Sequence, residues 1–164
     1  MSVNGLENNQ TNLNEILQWV TFQLGSEQYG VNVLQVQEVL KFTEITPVPG
    51  APHYVLGIIN LRGNVVTVID SRLRFGLGQK QPDDATRIIF VEVKGHIIGM
   101  LVDSVAEVVS MRSSDIETSP TIGKEDNESS KYLQGVYSTD DKILILIDVE
   151  KLFSEEDLAE VVGF

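Results

Sequence analysis
What the chain lacks narrows its chemistry first. Its 164 residues include no cysteine, which excludes disulfides, thiolate metal sites and a cysteine nucleophile, and suits a reducing compartment. Histidine occurs only twice, as His53 beside Pro52 and His96 after Gly95, too sparse a supply for a histidine-built metal or acid–base site. No Gly-x-Ser-x-Gly nucleophile motif is present, and Gly123-Lys124 has neither the upstream glycine spacing nor the following Ser or Thr of a phosphate loop. No stretch approaches the roughly 18 apolar residues of a membrane span. Residues 1 to 17 lack the basic start and apolar run of a secretory signal. These absences point to a cytoplasmic, non-enzymatic binding module with no metal and no cofactor.

Basic side chains are also scarce: 12 Lys and Arg stand against 24 Asp and Glu, a net charge of −12, with most of the excess in residues 86 to 164. Phosphate-backbone binding relies on clustered Lys and Arg, so nucleic acid is disfavoured as a partner. The acidity serves solubility, or it faces a complementary basic surface on another protein.

What is present reads as mainly β. The first 14 residues carry Asn4, Asn8, Asn9, Asn12 and Asn14 with few large apolar groups, and residues 1–16 are expected to be a disordered tail. From Trp19 onward, β-branched apolar runs of four to eight residues are punctuated by Gly, Pro, Asn or Asp. Strands are predicted over 18–25, 28–34, 36–42, 55–60, 64–69, 86–94, 96–102, 105–111, 132–138 and 142–147. Helical turns are expected near 71–75 and 149–153, with a C-terminal helix over 155–164.

The chain also repeats itself. Residues 19–42 match 87–111, setting Gly30 on Gly99, Val36 on Val105 and Glu38 on Glu107. Residues 54–75 match 132–153 without a gap at an offset of 78, setting Tyr54 on Tyr132, Gly57 on Gly135, Asp70 on Asp148 and Phe75 on Phe153. Two copies of about five strands predict two small β-barrels related by a pseudo-twofold axis, since closure removes exposed edges. The division expected is 17–85 and 86–154, within a single unit 17–164, with exchange of terminal strands allowed. Each copy alone would have a marginal core, so an apolar seam with a groove between the lobes is expected. Asp70 and Asp148, at strand-to-helix junctions, read as helix caps.

One hairpin stands apart from this economy. Ile58 to Val66 places Leu61-Arg62-Gly63 where small polar turn residues are usual. The equivalent tip of the second copy is Thr139-Asp140-Asp141, ordinary turn chemistry. Gly63 answers to a positive φ, but Leu61 and Arg62 have no such reason. A leucine beside an arginine suits a protein-binding hot spot, unless Leu61 folds back on its barrel and Arg62 pairs with a local carboxylate. Val31, Val33, Val36 and Val39 read as strand residues with one face in a core; alternatively Val36, Glu38 and Leu40 line the open end of the seam as an apolar strip with a charged edge, fit for a partner's helix.

These residues carry a resemblance. The duplicated pattern, Val36-Gln37-Glu38-Val39, Gly57 to Gly63, Val68-Ile69-Asp70, Tyr132 to Val136 and Ile143 to Phe153 are similar to the CheW family of bacterial chemotaxis adaptors over about residues 17–157. The resemblance implies a double SH3-like barrel and a scaffold that couples methyl-accepting chemotaxis receptors to the histidine kinase CheA. It implies receptor contacts at Val33, Val36, Glu38, Gly57, Asn60, Leu61, Arg62, Gly63, Val105 and Val108. Kinase contacts are implied on the second barrel near His96, Gly99, Gly135 and Asp140. The implied partners are the cytoplasmic tip of the receptor and the regulatory domain of CheA, with a free monomer that joins rings in membrane-associated receptor arrays. An adaptor of a related non-motility system, or a small-ligand-binding or hydrolytic barrel, are the competing readings.

Overall fold
A computed structural model describes residues 15–118 and 132–162 of the chain. Residues 1–14 of the expected tail, nearly all of the acidic linker 118–130 and the last two residues lie outside the described residues. Among the described residues there are ten strands: β1 (Ile16–Leu24), β2 (Glu27–Asn32), β3 (Val36–Lys41), β4 (Val55–Leu61), β5 (Asn64–Asp70), β6 (Arg87–Val93), β7 (His96–Val102), β8 (Ser104–Arg112), β9 (Leu133–Ser138) and β10 (Ile143–Ile147). The helices are short: α1 (Ser71–Arg74), α2 (Val149–Leu152) and α3 (Glu155–Val162). The second predicted strand ends early, because Asn32 accepts a hydrogen bond from the Leu34 N–H at 2.9 Å and starts a 3-10 turn, Val33–Gln35.

The strands form two five-stranded sheets in the orders β8-β1-β2-β10-β9 and β3-β6-β7-β5-β4. Exchanging the two sequence repeats, β1 with β6 through β5 with β10, converts one order into the other. The pseudo-twofold axis is therefore real, but the division at 85/86 does not separate the sheets. Strands β1 and β2 join β8, β9 and β10, while β6 and β7 join β3, β4 and β5. Each repeat lends its first hairpin to the other copy's barrel.

Each sheet closes at its outer strands. Past β3, Thr46 exchanges two backbone hydrogen bonds with Ile58 of β4, at 2.9 and 2.8 Å. Past β8, Glu117 does the same with Val136 of β9, both at 2.9 Å. These two equivalent bridges turn open sheets into SH3-like barrels and satisfy backbone groups that an edge would leave bare. Gly57 and Gly135 lie at the closures, and both are buried.

Strand periodicity explains the packing. On β1, Trp19 joins Met111, Leu144 and Leu146 inside its own barrel, whereas Val20, Phe22 and Leu24 face the seam. On β6, Ile88 and Phe90 fill the other barrel while Ile89, Val91 and Val93 face the seam. Alternation on these strands thus separates two cores rather than core from water, which is why they read as unbroken apolar runs. The seam is the largest of the three clusters, and α2 and α3 add Val149, Leu152, Leu158 and Val161 to it.

Both predicted caps are made. Asp70 accepts from the Arg72 N–H at 2.9 Å and the Leu73 N–H at 3.4 Å, and Asp148 accepts from the Glu150 N–H at 2.9 Å. Asp70 is only 4% exposed, and burial is the main influence on its carboxyl, raising its pKa against the opposing pull of the two cap bonds and the Arg72 charge. A carboxyl with a raised folded-state pKa penalises folding when ionised, and that penalty fades as pH falls through the folded value toward the unfolded one near 3.9. Asparagine caps about as well as aspartate. Asp70→Asn is therefore expected to match or exceed the parent in stability at pH 7, with the parent gaining on the variant as pH falls. Urea denaturation at pH 7 and pH 4.5 checks this, and a parent advantage that grows with pH would contradict it.

Candidate functional site
The hairpin that stood out in the sequence is built around an unusual backbone. Leu61 pairs with Asn64, leaving Arg62 and Gly63 as a two-residue loop with φ of 53° and 88°. Both residues are left-handed, the geometry that matches the twist of a hairpin and ordinarily selects Asn-Gly. Asn60 braces the loop by accepting the Gly63 N–H at 2.7 Å. Holding an arginine there costs about 1 kcal/mol. The second hairpin is not a true copy: Thr139 donates its N–H to the Lys142 carbonyl at 2.9 Å, and neither Asp140 nor Asp141 has positive φ. The two tips share a position but not a turn type.

Leu61 is not the exposed anchor that a hot-spot reading expects. It is half-buried against the barrel cluster of Ile59, Val66 and Phe90, because it is the last paired residue of β4 rather than part of the loop. Arg62 does project, with 70% of its side chain exposed, and both guanidinium amines bond the Glu38 carboxylate, Nη1 to Oε1 at 3.2 Å and Nη2 to Oε2. Glu38 lies on β3 and is more enclosed. The bidentate pair therefore ties the hairpin tip to the opposite outer strand of the same barrel.

The other residues sort by the seam. Val36 and Val39 pair with Val91 and Ile89, and all four face the seam cluster. Val105 also packs on that cluster. Val108 is opposite Val20, a seam residue, and remains exposed. By the repeat, Val36 and Val39 on β3 are the counterparts of Val105 and Val108 on β8. The seam is thus bordered by two equivalent outer strands, with Val36, Val39 and Val105 half-buried and Val108 exposed. Val33 packs at its rim, and Leu34, at the apex of the 3-10 turn, is 85% exposed. Leu34 is absent from the sequence expectation because the turn is hidden inside a strand-like run; Asn32 in front of it was the available signal.

Three of the expected contact residues are placed differently. Gly57 is inaccessible, since a Cβ there would lie 2.0 Å from the Thr46 carbonyl oxygen. Gly135 is its counterpart: a Cβ there would lie 2.5 Å from the Ile116 side chain and 2.8 Å from the Glu117 carbonyl oxygen. Gly99 is buried on β7, where a Cβ would lie 3.0 Å from the Ile88 side chain and 3.1 Å from that of Val68. Crowding by backbone and side chains remote in the chain accounts for the recurrence of these glycines. His96 and Asp140 are exposed, but on different barrels, β7 and the β9–β10 tip, so the four residues do not make one second-barrel surface. Beside His96 lie exposed Val65, on neighbouring β5, and Ile97, together with Val48 and Ile58 around one shallow cavity.

A seam bordered by twin edge strands, with a charged clasp on one side, defines a double-barrel interaction module. The CheW-like domain model matches residues 18–157. A chemotaxis protein CheW of Rhizobium meliloti is 33% identical over 138 residues, 84% of this chain and 88% of that protein. One from Helicobacter pylori is 33% identical over 142 residues, 87% and 84% of the two chains. The crystal structure of the scaffolding protein TtCheW from Thermoanaerobacter tengcongensis superposes with a TM-score of 0.76 at 38% identity, covering 84% of this chain and 92% of that one. The chain belongs to the CheW-like domain family.

Proposed function
We propose that this chain is a non-enzymatic scaffold adaptor that couples methyl-accepting chemotaxis receptors to the histidine kinase CheA. The observation that supports this reading is the apolar rim of the seam, where Leu34 and Val108 stand exposed beside half-buried Val33, Val36 and Val105, with the Arg62–Glu38 pair at its edge. The receptor tip, a helical hairpin, would lay apolar side chains along Leu34, Val36 and Val108 while Arg62 and Glu38 fix its register. The kinase would use a separate surface, for which exposed Val65 and Ile97 beside His96 are better candidates than the buried glycines. Asp140, on the other barrel, stands as a second kinase contact that lets adaptors and kinase domains alternate in rings. Such arrays hold together through many modest contacts rather than one tight one.

Arg62→Asn separates function from folding, because asparagine suits the left-handed turn and the lost exposed ion pair is worth at most about 1 kcal/mol. The thermal midpoint should hold while receptor binding falls by about 30-fold, the loss of an interface residue worth ~2 kcal/mol. Capture by a receptor signalling fragment in membranes, run beside capture by the CheA regulatory domain, reads both contacts. Full receptor capture by Arg62→Asn would remove the clasp from the mechanism, and an unfolded variant would make Arg62 structural.

A further inference from the structure
The two barrels are repeat counterparts, but their hairpin ends are filled differently. A cavity of about 230 Å³ opens into the barrel of β8, β1, β2, β10 and β9, and all five strands contribute to its lining. Thr21 stands opposite Gly30 as Phe90 stands opposite Gly99, so Thr21 is the counterpart of Phe90. At the repeat offset of 78, Tyr137, Thr139 and Leu144 fall on Ile59, Leu61 and Val66, and Val109 falls on Leu40. In the β3–β7 barrel Phe90, Leu61, Leu40, Ile59 and Val66 form one apolar cluster, with Phe90 fully buried. In the other barrel two threonines replace the phenyl ring and the leucine, and both line the cavity. Asp140 stands where Arg62 does, so the second tip cannot clasp Glu107, the counterpart of Glu38.

The sister barrel shows what belongs in this space. Threonine is smaller than phenylalanine or leucine, so Thr21 and Thr139 leave Val109, Tyr137 and Leu144 without the packing that Leu40, Ile59 and Val66 have. An apolar cavity of about 150 Å³ already accepts benzene, so the volume here admits one phenyl or isobutyl group. It falls below the roughly 300–1,000 Å³ of small-molecule sites. Charge gives no preference, because Glu107 and Lys142 both line the space. Ile143, between the lining residues Lys142 and Leu144, is 56% exposed, so apolar surface continues outside the cavity. One anchor in a pocket with further contact around it is the form of a protein interface. We infer that this barrel end receives one leucine or phenylalanine side chain from a segment of a partner protein, in the place that Leu61 and Phe90 fill in the other barrel. The site is distinct from the seam and from the Arg62–Glu38 clasp, and its test involves neither.

The test uses the full chain with labelled Ile, Leu and Val methyl groups, titrated with acetyl-Gly-Phe-Gly-amide, its leucine and alanine analogues, and toluene. Saturable shifts at Val109 and Leu144 are expected with the phenylalanine or leucine tripeptide and not with alanine. Ile59 and Val66, their neighbours' counterparts in the filled barrel, should not move. Affinity should fall at least tenfold in Thr139→Leu, which supplies the side chain that Leu61 provides in the other barrel. It should fall severalfold in Lys142→Ala, which removes an exposed wall and serves alone if the first variant does not fold. Absence of saturable shifts, equal binding of the alanine tripeptide, equal shifts at Ile59 and Val66, or unchanged affinity in a folded variant overturns the assignment. Toluene binding at Val109 and Leu144 without either tripeptide overturns the partner-segment reading.

Discussion

Gly57→Ala is expected to lower stability by about 3–5 kcal/mol, among the largest effects a single substitution produces. The new Cβ would fall 2.0 Å from the Thr46 carbonyl oxygen and 2.6 Å from its carbon, and φ at Gly57 is 151°, a conformation that side chains rarely adopt. Neither clash can be relieved by a rotamer change, since both obstacles are backbone. Relief requires pulling Thr46 away from Ile58, breaking the two hydrogen bonds that close the β3–β7 barrel. Lost bonds at about 1 kcal/mol each add to backbone strain of about 1–3 kcal/mol. At this chain length the thermal midpoint should drop by about 10 °C or more.

Gly135→Ala provides the graded comparison. Its closest obstacle, at 2.5 Å, is the movable side chain of Ile116, with the Glu117 carbonyl oxygen at 2.8 Å, and Gly135 is not at positive φ. Urea denaturation should rank Gly57→Ala below Gly135→Ala and both below the parent. A parental midpoint for Gly57→Ala would show that the closure does not hold as described.

Arg74→Ala is expected to cost about 2–4 kcal/mol through lost packing, cation–π contact and hydrogen bonding. The guanidinium carbon lies 5.0 Å from the Tyr54 ring centroid, 4.9 Å from that of Tyr132 and 5.8 Å from that of Phe153. Tyr54 and Tyr132 are repeat counterparts, so one arginine bridges the two halves of the molecule. Its Nη2 donates to the Leu152 carbonyl at 2.7 Å and to Asp157 at 3.3 Å, linking α2 and α3 to the seam. The partly exposed Asp157 contact contributes least. Alanine would leave the carbonyl without this donor and open a void between the rings.

Leucine at the same position separates packing from polar contact, because the counterpart of Arg74 in the second repeat is Leu152. Arg74→Leu restores volume without the bonds and should be intermediate in stability, with faster amide exchange at Leu158 in α3. Parental stability and exchange in Arg74→Leu would reduce Arg74 to a space filler.

Local features were legible because their causes are local. Asp70 and Asp148 cap helices through donors two or three residues away, and every predicted strand recurs within two residues at its ends. The Arg62–Glu38 pair spans 24 residues, yet both members belonged to the expected receptor face. The burial of Leu61 is not legible in the sequence, because whether a hairpin residue folds back depends on the barrel beneath it. The burial of Gly57, Gly99 and Gly135 is illegible in the sequence for the same reason: what crowds a glycine comes from segments remote in the chain.

The sequence by itself determined a duplicated β chain with ten strands, two capped junctions and one anomalous hairpin, since hydrophobic periodicity and turn chemistry act over a few residues. Only the tertiary structure decided that the repeats exchange hairpins and that closing bridges bury paired glycines. It also decided which face of β1 and β6 meets which core. A period of two states that alternate residues face opposite ways, but not what waits on either side. On strands buried on both faces, that answer comes from the packing of the two barrels against each other.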